Sequence, residues 1–170
     1  MRRPSAFSLS LLAAAGLIGL PAPVWAATQS ASVTANAVKP LVISKLQNLD
    51  FGTVTLGPGT WGNATVSLSQ SGVFSCASSN VVCSGVTSVA QYNVQGSNKQ
   101  TVRISAPNIT LINQNDSTKT LTLVTDAPAT LVLTSSGIPG SNFSIGGSIT
   151  LNSTTAAGAY VGTFNVTVDY

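Results

Sequence analysis

The chain has 170 residues, of which 6% are charged and 44% hydrophobic, with seven basic residues, four acidic ones and no histidine. All four acids are aspartates, so there is no glutamate and no Ser-His-Asp triad. The few basic residues form no run, which argues against nucleic-acid binding.

Met1-Arg2-Arg3 opens an apolar run from Ala6 to Leu20, which Pro21-Ala22-Pro23 breaks before Val24-Trp25-Ala26. This predicts a secretory signal peptide over 1–26, cut between Ala26 and Ala27. The run is short of the roughly 20 residues that span a bilayer. Residues 27–170 then form one domain of an exported protein, in the periplasm, at the outer cell surface or secreted. Two of the seven basic residues, Arg2 and Arg3, belong to the leader.

Ala31, Val33, Ala35 and Ala37 alternate with polar residues, giving a light strand or an extended tail. Pro40 resets the backbone. Leu41-Val42-Ile43 starts a strand, and Leu49-Asp50-Phe51-Gly52-Thr53 follows it. After the Gly57-Pro58-Gly59 turn, Ala64, Val66 and Leu68 alternate. Trp61 is expected to cover an end of the core. Cys76 and Cys83 are the only cysteines. In an exported chain an isolated pair reads as a disulfide. A zinc site would lack ligands without histidine.

Further strands are expected over 86–96 and 101–104, and again at Ile109–Ile112 beyond Pro107. Leu121–Leu123 and Leu131–Leu133 are split by Asp126-Ala127-Pro128. Phe143, Ile145, Ile149 and Leu151 alternate around Gly146-Gly147. Short strands with frequent turn signals, and no helical periodicity, predict an antiparallel β-sandwich of about seven to nine strands.

The last stretch, 158–170, is the most regular. From Gly158, every second residue falls on one face: Tyr160, Gly162, Phe164, Val166, Val168 and Tyr170. The pattern predicts one long strand with Phe164, Val166 and Val168 buried and Thr163, Asn165 and Thr167 outside. Such an edge strand must be paired or covered. The residues that would do so are either Ala31–Ala37 of the same chain or an incoming strand from a partner.

Catalytic motifs are missing: no Walker loop, no dinucleotide fingerprint, no Ser-x-x-Lys. A non-enzymatic protein without cofactor or metal is expected. Asp50 and Asp116 sit in turns and fall short of the six to eight oxygens that calcium takes.

The Leu-Asp-Phe-Gly-Thr motif at 49–53 and the closing Gly-Ala-Tyr-Val-Gly-Thr-Phe-Asn-Val-Thr-Val-Asp-Tyr at 158–170 resemble bacterial exported proteins grouped as domain of unknown function 4402. More distantly, the same features resemble spore-coat-U-like proteins, subunits of archaic chaperone–usher pili. That likeness implies an incomplete immunoglobulin-like sandwich, completed by a periplasmic chaperone or by further copies of the chain through strand addition. The chain departs from the pilin pattern where Leu41 and Val42 replace the usual cysteine region, and in the small residues before Pro40. The competing expectation is a monomeric module that binds glycan or another surface ligand through loops near Trp61 and the cysteine loop.

Overall fold

A computed structural model describes residues 28–170. The leader and its cleavage site at Ala26 and Ala27 lie outside the described residues. Residues 28–40 carry no strand and are exposed, so Ala31–Ala37 do not form a closing strand.

The described fold is all-β, with 13 antiparallel strands and no helix. In order these are β1 (Val42–Gln47), β2 (Thr53–Leu56), β3 (Ala64–Leu68), β4 (Phe74–Ser75), β5 (Val81–Ser84) and β6 (Ala90–Gln95). Then come β7 (Thr101–Ser105), β8 (Ile109–Asn113), β9 (Thr120–Asp126), β10 (Thr130–Val132) and β11 (Ser141–Leu151). The chain ends with β12 (Tyr160–Val161) and β13 (Thr167–Asp169).

The spine is β11. Its odd-numbered residues from Ser141 to Leu151 are all buried, so one face is covered for its whole length and apolar from Phe143 on. Its first half pairs with β6 and its second half with both β3 and β9, the exchange falling at Gly146-Gly147. Two core clusters follow. The first joins Tyr92 and Val94 of β6 and Phe143 and Ile145 of β11 to Val102 and Ile104 of β7. Tyr92 and Phe143 are cross-strand partners, and their rings stack with centroids 5.5 Å apart. The second joins Val66, Leu123, Ile149 and Leu151 to Val81, with Phe51, Val54 and Trp61 packed against it. Leu49 and Phe164 touch both clusters.

The strand count exceeds the seven to nine expected because long runs are cut where they change layer. Thr130–Val132 pairs with 101–103, and Leu121–Leu123 pairs with 109–111, so β9–β10 follows β8–β7 in almost continuous register. Pro107 and Pro128 stand at the two breaks. Proline offers no ladder donor, so each run bends there and its second half enters the other sheet.

The Leu49–Thr53 motif is a corner. Asp50 exchanges both main-chain bonds with Ser88, at 2.8 and 2.9 Å, and its Oδ1 accepts from the Gly52 N–H at 2.8 Å. Gly52 has φ +66, and a Cβ there would meet the Ser84 carbonyl at 2.6 Å. Only glycine takes that conformation at that distance without strain. Trp61 is half-buried against the second cluster and donates Nε1–H to the Gly57 carbonyl, which makes it a cover over the core.

Cys76 and Cys83 are bonded, joining the chain just after β4 to β5 against the second cluster. The double substitution Cys76→Ser, Cys83→Ser should lower unfolding free energy by about 2–3 kcal/mol, from the closure of this short loop. Denaturant unfolding of both proteins checks this. A difference under about 0.5 kcal/mol would mean that the β4–β5 loop is held by packing alone.

Candidate assembly site

The C-terminal segment is positioned first by a buried amide. Asn113, 1% exposed, donates Nδ2–H to the Ala157 carbonyl at 3.1 Å. Its Oδ1 accepts from the main-chain N–H of Asn115 at 2.8 Å and of Asp116 at 3.3 Å. One side chain therefore fixes both the 113–119 turn and the entry to the last strands. Gly158 passes directly over that amide with φ +146, a conformation that other residues rarely adopt. Tyr160 Oη donates to the Ala156 carbonyl at 2.8 Å.

From there the chain runs antiparallel to 103–113. Tyr160 and Val161 pair with Asn113 and Ile112, while Thr167, Val168 and Asp169 pair with Ser105, Ile104 and Arg103. Between them, Gly162 to Val166 belong to no strand. The single long strand expected from the sequence is thus two short ones. Opposite the gap lies Pro107, and the groups beside it are engaged elsewhere. The Ala106 carbonyl accepts from Thr125 Oγ1 at 2.6 Å, and Asn108 Oδ1 accepts from the Thr125 N–H at 3.0 Å.

The alternation itself is present. Tyr160, Phe164, Val166 and Val168 are half-buried, and Thr163, Asn165 and Thr167 are exposed. Full burial of Phe164, Val166 and Val168 is not reached, and Gly162 and Tyr170 are exposed. The reason is the neighbourhood. In the order β10-β7-β13, β13 is a terminal strand with nothing paired beyond it among the described residues.

The facing sheet ends in the same way. Among the described residues β1 pairs only with β6, and all six of its residues are exposed. Ile43 stands opposite Val94, hence on the same face. Val94 is 0% exposed and Ile43 39%, so the covering layer stops between them.

The two free edges border one seam. Tyr170 Oη donates to the Lys39 carbonyl at 2.6 Å, just before β1, and accepts from the Ser97 N–H at 2.7 Å in the β6–β7 turn. Ser97 Oγ in turn accepts from the Lys39 N–H at 2.7 Å. At the opposite side of the layers Ser141 Oγ accepts from the Thr134 N–H at 2.8 Å, closing β11 against the chain after β10. The sandwich is therefore stitched on one side. On the other it is latched at one end by Tyr170 and open along Ile43, Phe164, Val166 and Val168. Lys45, opposite Tyr92, turns a charge toward this seam from β1. An inward charge on an edge strand discourages indiscriminate pairing.

The sequence reading found the C-terminal half of this site but missed β1 as its second edge, and it missed the latch. Lys45, within an otherwise strand-like 42–47, was the one available signal. The carboxylates of the two acidic turns are taken up locally: Asp50 by Gly52, and Asp116 Oδ1 by the N–H and hydroxyl of Thr118 at 3.0 and 2.7 Å. The Thr118 bonds hold the Asp116 carboxyl below its ordinary pKa.

Two substitutions test this geometry. Phe164→Ala should cost about 2–3 kcal/mol, at or below the range for a fully enclosed ring, because the side chain is half-buried. Tyr170→Phe should cost about 1 kcal/mol, since Lys39 and Ser97 regain water when the hydroxyl is lost. Urea unfolding measures both. A cost for Phe164→Ala below that of Tyr170→Phe would contradict the bridging role of the ring.

Residues 41–170 match the model of a family described as Domain of unknown function (DUF4402). No curated protein and no solved structure matches the chain.

Proposed function

The chain belongs to the DUF4402 family, and we propose that it is an exported, non-enzymatic structural protein that assembles by accepting an extended strand along its C-terminal edge. The open seam carries this reading. A β-sandwich with unpaired main-chain groups on β13 and half-covered apolar side chains beneath them matches what β-strand addition requires. Main-chain hydrogen bonds to 162–169 would supply affinity. Alternate side chains of the incoming strand would complete the cover over Phe164, Val166 and Val168.

The partner is a periplasmic chaperone or another copy of the chain. Residues 28–38 of a second copy have suitable chemistry: they are uncharged, free of proline, exposed and in no strand, with Ala31, Val33, Ala35 and Ala37 on one alternating face. Small side chains suit a seam already half-filled by Phe164. The distant likeness to pilus subunits agrees with this mode and belongs to the same proposal. Export is compatible with the disulfide and with the absence, among the described residues, of a helix long and apolar enough to cross a membrane.

Deletion of residues 27–37 from the mature protein tests the reading. Sedimentation of the intact protein, and of material sheared from cells, should show oligomers. The deleted form should be monomeric with its melting temperature preserved. An intact protein that stays monomeric at every concentration, alone and in sheared material, would overturn the assembly reading.

A further inference from the structure

The register of four strands places a row of threonines on the face of the sheet opposite the core. Thr65 pairs with Thr150, and their hydroxyls lie 3.4 Å apart. The β9–β11 ladder sets Ile149 against Leu123, so the next residues, Thr150 and Thr122, stand side by side. Thr122 in turn pairs with Thr110. All four are exposed, because their neighbours Val66, Ile149 and Leu123 point the other way into the core. With strands about 4.8 Å apart, the row presents hydroxyl and methyl groups at regular intervals across roughly 14 Å.

A shallow, open depression lies on this face. A cavity of about 510 Å³ opens over Thr120, Thr122 and Thr150, walled by the Asn152–Ala156 turn and by Tyr160. Its charge is informative. From Thr120 to Val124 and across the row no side chain is charged; Lys119, just before β9, lines one end of the cavity, and Asp126 ends the strand. Asp126 is occupied, since its Oδ2 accepts from the Gln70 N–H at 2.9 Å.

We propose that this threonine-lined face binds a neutral polysaccharide. Threonine hydroxyls both donate and accept, as sugar hydroxyls do. Threonine methyls would pack on the C–H faces of sugar rings. An anionic polymer would find a single counter-charge, Lys119 at one end, and none along the row, and an apolar partner would leave the hydroxyls unpaired. The site is separate from the seam: it uses the outer face of β3, β11, β9 and β8, so one molecule can join its neighbours and hold a glycan at once.

Titration calorimetry of the full chain with chitohexaose and cellohexaose, against polygalacturonate as the charged control, tests the proposal. Binding is expected to at least one neutral oligosaccharide, unchanged between about 0.1 and 1 M salt because no ion pair is involved. Thr122→Val with Thr150→Val preserves the strands and should weaken that binding about tenfold or more. Deletion of residues 27–37 should leave it unchanged, which separates this site from assembly. Three results would each overturn the proposal: no binding to either neutral probe, preference for polygalacturonate, or full affinity in the double valine variant.

Discussion

An open sheet ends in strands whose outer N–H and C=O groups have no partner, and a sandwich must also cover the apolar face beneath each end. This fold meets that constraint on one side only. There Ser141 and Thr134 bring β11 and the chain after β10 together. On the other side β1 and β13 stop short of covering the core, and only the Tyr170 hydroxyl ties them at one end. The half-buried state of Phe164, Val166 and Val168 and the exposure of all of β1 follow from that missing cover. Lys45 facing the gap fits an edge held available for a specific partner and closed to random ones.

Much of this architecture is readable in the residues. Strict alternation in 141–151 and in 160–168 reports faces, because neighbouring side chains on a strand point oppositely whatever lies around them. Disulfide pairing followed from there being only two cysteines. What alternation cannot report is who stands beside a strand. Val42, Ile43 and Leu46 look like core residues in sequence, yet β1 has a neighbour on one edge only. Similarly, Gly158–Tyr170 reads as one strand. The break comes from the opposite strand, where Pro107 and Thr125 divert the backbone. Such effects are long-range, and no local pattern in 158–170 contains them. Asn113 is half legible: its bonds to Asn115 and Asp116 are a local turn, but the one that places the C-terminal segment reaches Ala157, 44 residues on.

The sparse charges take on meaning once they are placed. Asp50, Asp116 and Asp126 each accept a main-chain N–H and so act as turn fasteners. The outer face of β3, β11, β9 and β8 is left neutral and hydroxylated between them. A neutral outer face and an open apolar seam are different kinds of surface, suited to different partners. Their placement on separate parts of the domain would let the proposed assembly and ligand capture proceed without competition.

Amide hydrogen exchange on the intact protein, free and in its assembled form, addresses the seam most directly. Those amides in 162–169 that make no bond to β7 should exchange rapidly in the free monomer, while those of β6 and β11 are protected. In the assembled form 162–169 should become strongly protected, as an incoming strand engages the free edge. Protection of those outward amides already complete in the monomer, or unchanged on assembly, would contradict the open seam.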